Sequence, residues 1–294
     1  MKDTLIIGSQ GYIGSALYGK LQDRSIGVDI NGGEICINYG QLTKKEISKY
    51  KNIVLLAASA GVKPCEGDIK YSFKNNVSNF IQLLSKIKNY QKFIYASSGS
   101  IYGDIGGQLA SEDCNTLESV SYYDLTKKIN DMYASLSNIE YYGLRFGTVN
   151  GKTQYSNIIR DDVIINSMVK NAIINKKIKS INPSVSRGIL GLNDLCNAIE
   201  IIINTSNDNR GIYNMASFNC SVKEISDYVS NRFLCNVETK EDDSSKMYDF
   251  KLNTEKFCNR YNFTFKDSIE NISDSLLDNF EIANFIRRDK CLKI

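Results

Sequence analysis

With 294 residues, 42% of them hydrophobic, the chain is long enough for about two domains, or for one large α/β domain with a sizeable core. A formal net charge of +3, with no apolar run near the ~20 residues that span a bilayer, points away from nucleic-acid and membrane partners. There is no histidine, which excludes Ser-His-Asp and Cys-His catalysis and the usual zinc sites. Acid–base chemistry near neutral pH therefore falls to Tyr, Lys, Cys or a carboxylate, and the 18 tyrosines draw attention first. The eight cysteines contain no C-x-x-C pair, so they read as reduced thiols packed as small apolar groups, with no metal site expected.

The first element is Thr4–Gly14, TLIIGSQGYIG. A short apolar strand, a turn with glycines at Gly8, Gly11 and Gly14, and an amphipathic run from Tyr12-Ile13 make a phosphate cradle for a dinucleotide. Glycine allows positive φ and close approach of the backbone to a pyrophosphate. A strand that starts almost at Met1 leaves no room for a signal peptide, so the expectation is a soluble, cytoplasmic protein. Ile26–Val28 is the second strand, ending at Asp29, and two readings of that residue stay open. Its carboxylate accepts both ribose hydroxyls of NAD and repels the 2′-phosphate of NADP, or it is an ordinary turn residue before Asn31-Gly32-Gly33.

Ile35–Ile37 reads as a third strand and Thr43–Tyr50 as a short helix capped by Thr43. Ile53–Ala58 is a continuous apolar run, as a central parallel strand requires. It leads into Ser59-Ala60-Gly61, where small residues such as Ala57 and Ala58 let a cofactor lie against the strand end. Tyr71–Lys88 carries a helical apolar stripe, either core or a dimer-forming face. Lys92–Ala96 is the next strand and delivers Ser97-Ser98-Gly99-Ser100 to the edge of the sheet where open α/β folds bind ligands. Tyr122–Leu136 reads as a helix, Glu140–Phe146 as a strand. Helical patterns follow at Asp161–Asn175, Asn193–Asn204 and Ser221–Phe233, with a strand at Ile212–Met215. Regular alternation stops near Asn150, where a second, substrate-holding lobe is expected.

The chemistry concentrates on Tyr123. Lys127, at i+4, shares its helix face. A free phenol titrates near ~10, too high for a base at neutral pH. A lysine ammonium and a nicotinamide cation favour the phenolate. Tyr123 would then take a proton from a sugar hydroxyl while that carbon gives up hydride. Ser98 would hydrogen-bond the same oxygen and steady the developing carbonyl.

In order, the chain carries GSQGYIG, LAASAGVK (Leu56–Lys63), Asn76-Val77, SSGSIYG (Ser97–Gly103) and SED (Ser111–Asp113). YDLTK (Tyr123–Lys127), GLRFGTVNG (Gly143–Gly151) and RGILGLNDLCNAI (Arg187–Ile199) follow. This set resembles the extended short-chain dehydrogenase/reductases, the NAD-dependent nucleotide-sugar epimerase/dehydratase family, over about two thirds of the chain. The resemblance implies an α/β fold: a Rossmann doubly wound parallel sheet with helices on both faces, plus a smaller C-terminal α/β substrate-binding lobe. The NAD-binding part would cover residues 1–155 with a return segment near 185–212, and the substrate lobe residues 156–184 and 213–294. It implies Ser98, Tyr123 and Lys127 as the catalytic set. Gly8, Gly11, Tyr12, Ile13, Gly14, Asp29, Ala57, Ala58 and Lys127 would line the NAD site. Ser98, Ser100, Tyr123, Asn150, Arg160, Asn166 and Arg187 would meet a nucleotide-diphosphate sugar, Arg187 through the diphosphate. A homodimer through Tyr71–Lys88 and Tyr122–Leu136 is also implied. The chain departs from the family pattern in lacking histidines near Leu55 and Gly191, and in having Tyr39-Gly40 where an acidic pair usually contacts adenine.

Gly99 and Ser100 narrow the reaction. In the family, 4,6-dehydratases carry Asp-Glu at these positions, sugar-acid decarboxylases carry Glu at the second, and the epimerase/reductases that make fucose carry Cys there. What remains is redox chemistry at one carbinol, most simply C4. An epimerase leads, with a 4-ketoreductase and a dehydrogenase as alternatives. A non-catalytic dinucleotide-binding regulator comes last, because Ser98, Tyr123 and Lys127 are all present.

Overall fold

The short apolar runs become strands of one parallel sheet. These are β1 (Thr4–Ile7), β2 (Ser25–Asp29), β3 (Ile35–Cys36), β4 (Asn52–Leu55), β5 (Lys92–Ser98), β6 (Glu140–Phe146) and β7 (Gly211–Met215). The structure, a computed structural model, describes residues 2–114, 119, 121–206, 208–242 and 248–280. The strand order is β7-β6-β5-β4-β1-β2-β3, and every pairing is parallel. In the central register Ile7 lies opposite Val28 on one side and Leu55 on the other. The order reverses at β1, between β2 and β4, and a crevice opens there beyond the strands' C-terminal ends.

Both faces of the sheet are covered, which is why these strands read as continuous apolar runs rather than alternating ones. Ile6, Val54, Ile94 and Leu144 pack on one side with Leu17 of α1 (Tyr12–Lys20) and Leu195 and Ile199 of a helix at Leu192–Asn204. Leu5, Ile7, Ile53, Leu55, Phe93 and Tyr95 face the other way, onto Phe80 and Leu83, with Ala134 of α2 (Tyr122–Ser135). Each such side chain contributes about 1.5–3 kcal/mol by leaving water.

Two expected elements differ. The short helix capped by Thr43 spans only Lys44–Ile47, with the capping box to Glu46 formed. The Tyr71–Lys88 stripe is not one helix. It runs as Ile69–Phe73, a π-helical turn at Lys74–Ser78 and Asn79–Leu84. The wide turn serves Asn76. Its backbone O accepts from Asn130 Nδ2 at 2.9 Å, while its side chain accepts from Ser59 N at 2.8 Å and donates to Ser59 O at 3.1 Å. The stripe is partly core, through Phe80 and Leu83, and partly exposed, through Tyr71 and Phe73.

The later chain builds smaller sheets beside the crevice. Ser186–Gly191 pairs parallel with Thr148–Asn150 and antiparallel with Phe218–Ser221. Lys177–Ile181 pairs parallel with Asn236–Lys240, and Lys251–Leu252 with Leu109–Ala110. Helices Ile164–Asn175, Val222–Phe233 and Ile269–Asp274 close a separate core around Val169, Ile225 and Ile272. Among the described residues no helix is long and apolar enough to cross a membrane. None of their cysteines is paired, and no cluster could hold a metal ion.

Candidate active site

The glycine turn is shaped for close backbone approach. Gly8 has φ +93°, and a Cβ there would fall 2.5 Å from Ala57 N, where the chain leaving β4 crosses it. A Cβ on Gly14 would fall 1.8 Å from Gly8 O. The N-cap of α1 is Gly11, with no side-chain cap, so the first N–H groups of the helix are left for a ligand. A cleft of about 340 Å³ opens over this turn, and Gly8, Gly11, Tyr12, Ile13 and Gly14 line it. Asp29, Ala57 and Ala58 complete the wall. Asp29 is placed where either reading of it can hold. It borders the cleft, and its carboxylate also fastens the turn, accepting from Gln10 N and Asn31 N at 3.0 Å each. An uncapped helix start, a cradle that a Cβ would fill and a carboxylate at the end of β2 together fit a dinucleotide.

A second cleft of about 340 Å³ adjoins the first, with Tyr12, Ile13 and Arg160 in both walls. Ser98, Ser100, Tyr123 and Arg187 line it. Ser98 and Ser100 come from the end of β5 and the tight turn after it. Tyr123 stands in the first turn of α2, whose N-cap Ser121 accepts from Asp124 N at 3.1 Å. Lys127 lines neither cleft. It is buried, donates from Nζ to Ala96 O at 2.6 Å, and holds its ammonium 5.6 Å from the centre of the Tyr123 ring.

Burial pushes the Tyr123 phenol up to about 12, against the downward pull of its hydrogen bond with Ser98 and of Arg160. Burial also brings the Lys127 ammonium down to about 8. The lowered phenol expected from the sequence is therefore not what the protein alone produces. Burial outweighs its favourable neighbours, and further positive charge is needed to hold a phenolate.

Arg160 is fixed by Asp162, with Nε–Oδ1 at 2.7 Å and Nη2–Oδ2 at 3.1 Å. Arg187 donates to the carbonyl of Tyr248, and among the described residues no carboxylate lies in ion-pair range of it. Two expected substrate residues are placed elsewhere. Asn150 is buried, donating to Thr148 O at 2.8 Å and accepting from Ile165 N at 3.0 Å. Asn166 is buried too, accepting from Gly151 N and donating to Arg160 O, both at 2.8 Å. Their amides are spent inside the fold, where they bolt the segment carrying Arg160 to the loop after Asn150.

Three residues at the site escaped the sequence reading. Tyr248 and Phe250 line the second cleft from a part of the chain with no periodic signal. Asp124, beside Tyr123, points inward, where it accepts from Ser100, Ser121 and Tyr248 hydroxyls. A buried position inside the first turn of an amphipathic helix was the one available hint.

Comparisons with known proteins point to one family and one fold. The family model for the NAD dependent epimerase/dehydratase family matches residues 4–216. Protein CapI of Staphylococcus aureus is 32% identical over 180 residues, half of this chain and 54% of its own length. UDP-glucuronate 4-epimerase 6 of Arabidopsis thaliana is 34% identical over 124 residues, 39% of this chain and 27% of its own length. The chain thus aligns with well under two thirds of either relative. Over the whole fold it resembles the UDP-glucuronic acid 4-epimerase of Bacillus cereus, solved with UDP-glucuronic acid and NAD. The TM-score is 0.82 at 19% identity, covering 96% of this chain and 99% of that one.

Proposed function

The chain belongs to the NAD dependent epimerase/dehydratase family, and on that premise we propose that it interconverts nucleotide sugars epimeric at C4, with UDP-glucuronate the first substrate to offer. The observation that carries this reading is the meeting of Ser98, Tyr123 and Arg187 in one cleft, directly beside the glycine cradle. The chemistry that bound NAD supplies is reversible hydride acceptance, together with a positive charge in its oxidised form. Gly8, Gly11, Gly14 and Asp29 would hold it. Tyr123 takes the proton of the C4 hydroxyl as that carbon is oxidised, and returns it when the keto sugar has turned its other face. Among the described residues no carboxylate lies in ion-pair range of Arg187, and its guanidinium suits a diphosphate. Arg160, at the junction of the two clefts, suits the carboxylate of a uronate, and the names of several relatives support that choice.

Packing disfavours a dehydratase. A side chain on Gly99 would start 3.1 Å from Phe250 and 3.2 Å from Leu252, so an acid for water elimination at this position would require those two side chains to shift by a few tenths of an ångström. The reductase and dehydrogenase alternatives differ in needing net reductant or oxidant, whereas an epimerase recycles its own NAD. The same reading takes the chain as a homodimer through Ile69–Leu84 and α2, whose Tyr71, Phe73 and Met132 are exposed, as is Leu136 directly after α2. Sedimentation of the purified protein as a monomer would refute that part.

The test of the activity is Tyr123→Phe, followed by NMR of UDP-glucuronate turning into UDP-galacturonate without added cofactor. The variant should retain NAD, identified by mass spectrometry after denaturation, and lose about 10²–10⁴-fold in turnover. Undiminished turnover would remove Tyr123 from the reaction. A wild-type protein that only consumes added NADPH would replace the epimerase with a ketoreductase.

A further inference from the structure

The far end of the first cleft carries a side chain whose hydrogen-bonding polarity is fixed. With phosphates at the glycine turn and a ribose at Asp29, the base of a dinucleotide falls beyond Asp29, past the ends of β2 and β3. Val28, Ile30 and Ile37 give that end apolar walls, and the polar side chains beside them are Asn31, Asn38, Tyr71 and Asn75. An amide or hydroxyl that is free to turn offers a donor or an acceptor as required. Asn38 is not free to turn. It caps the short turn Tyr39–Gln41, and its Oδ1 accepts from Gly40 N at 2.9 Å and from Asn79 Nδ2 at 3.1 Å. An amide oxygen has two lone pairs, and both are taken. Reversing the amide would set Nδ2 against the Gly40 N–H, donor against donor. The N–H bonds of Nδ2 are therefore what Asn38 has left for a ligand, and they have no partner among the described residues.

We infer that Asn38 is a specificity-determining residue for the dinucleotide: it meets the base as a donor, reading the acceptor atoms of a purine and leaving the 6-amino group unread. Adenine carries ring acceptors and one donor, the 6-amino group. Hypoxanthine keeps acceptors at N3 and N7 and has an oxo acceptor at position 6. A fixed donor serves either base, and the side chains that turn adapt to the rest. A carboxylate at position 38 would keep the cap and reverse the choice, because it accepts from a 6-amino group and repels a 6-oxo group. This goes beyond the epimerase reading and does not depend on it, since hydride is exchanged at the other end of the dinucleotide.

The experiment is competitive loading of the wild type and the Asn38→Asp variant. Each is unfolded in urea, freed of resident dinucleotide by desalting, and refolded in an excess of an equimolar mixture of NAD and nicotinamide hypoxanthine dinucleotide. The washed protein is then denatured, and the two released dinucleotides are separated by chromatography and quantified. Native protein held in the same mixture until its bound composition stops changing should reach the same ratio. The wild type should take up the two within about threefold of each other. Asn38→Asp should favour NAD by about tenfold or more, as a fixed acceptor facing a 6-oxo group demands. Its melting temperature should stay within a few degrees of wild type, because Asp caps a helical turn as well as Asn does. A wild type that already favours NAD tenfold, or a folded variant with the wild-type ratio, would overturn the inference. Epimerisation of a nucleotide sugar by the NAD-loaded protein would stand in either case, so the two readings fail separately.

Discussion

Replacing Lys127 by Met should separate activity from stability. The ammonium stands 5.6 Å from the centre of the Tyr123 ring. With the phenolate charge placed at the ring centre and an effective dielectric of about 20, the ammonium favours the phenolate by about 3 kcal/mol. Its loss should slow turnover on the order of a hundredfold at neutral pH. Stability follows the opposite accounting. Burial draws the Lys127 ammonium from its ordinary 10.5 to about 8. That difference is a cost of about 3 kcal/mol for keeping the charge inside. Losing the charge-assisted bond to Ala96 O removes about 1.5–3 kcal/mol in the other direction, so the two nearly cancel. The thermal midpoint of Lys127→Met should stay within a few degrees of wild type while kcat collapses.

The pH dependence carries the same sign. Wild-type turnover should fall as pH rises through about 8, where Lys127 loses its charge, and the variant should lack that limb. Between about 8 and 10.5 the unfolded chain holds the Lys127 proton more tightly than the folded one. Over that window Lys127 makes the fold more stable as pH rises. Circular dichroism suits the melting measurement, since the chain has no tryptophan. A variant that keeps wild-type kcat, or one whose activity is lost only because the fold is lost, would refute the reasoning.

Two further outcomes are expected. Asp29→Ala should reduce the preference for NAD over NADP by about tenfold or more in competitive binding, since the carboxylate no longer meets the ribose or repels a 2′-phosphate; an unchanged ratio would leave Asp29 as a turn residue alone. Asp131→Asn should cost about 3–5 kcal/mol in denaturant unfolding, because it strands the Arg145 guanidinium inside the protein. That guanidinium donates to Asp131 Oδ2 at 2.9 Å, and both side chains are buried; an unmoved midpoint would mean the pair carries no net stability.

The sheet and the dinucleotide cradle were legible because their signals are local. A run such as Leu5-Ile6-Ile7 before three spaced glycines states its own conformation, and Tyr123 and Lys127 are neighbours on a helix wherever that helix sits. What stayed hidden depends on partners far along the chain. Asn150 and Asn166 look like polar ligand groups until their amides are seen to be satisfied by the backbone of Ile165, Gly151 and Arg160. The break in the Tyr71–Lys88 stripe follows from Asn76 reaching Ser59 and Asn130, which no periodicity encodes. Asp124 reads as a favourable acidic residue in a first turn, and only the arrival of Ser100 and Tyr248 turns it inward. Arg160 and Arg187 do reach the second cleft, although each is already engaged there by the protein itself.

The way β7 returns to the sheet bears on recombination between relatives. The chain leaves the sheet after β6, builds Thr148–Asn150 through Ser186–Gly191 beside the crevice, and comes back as β7 before leaving again at Phe218. A chimera joined once, near Asn150, would import a foreign β7 and a foreign Leu192–Asn204 helix against the native β6 and α1. The mismatch would fall on Tyr142, Leu144, Leu195 and Tyr213, all buried in one cluster. Exchanging the sugar-facing half between family members therefore takes two grafts, one on each side of residues 192–215, with that segment inherited together with the first half of the chain.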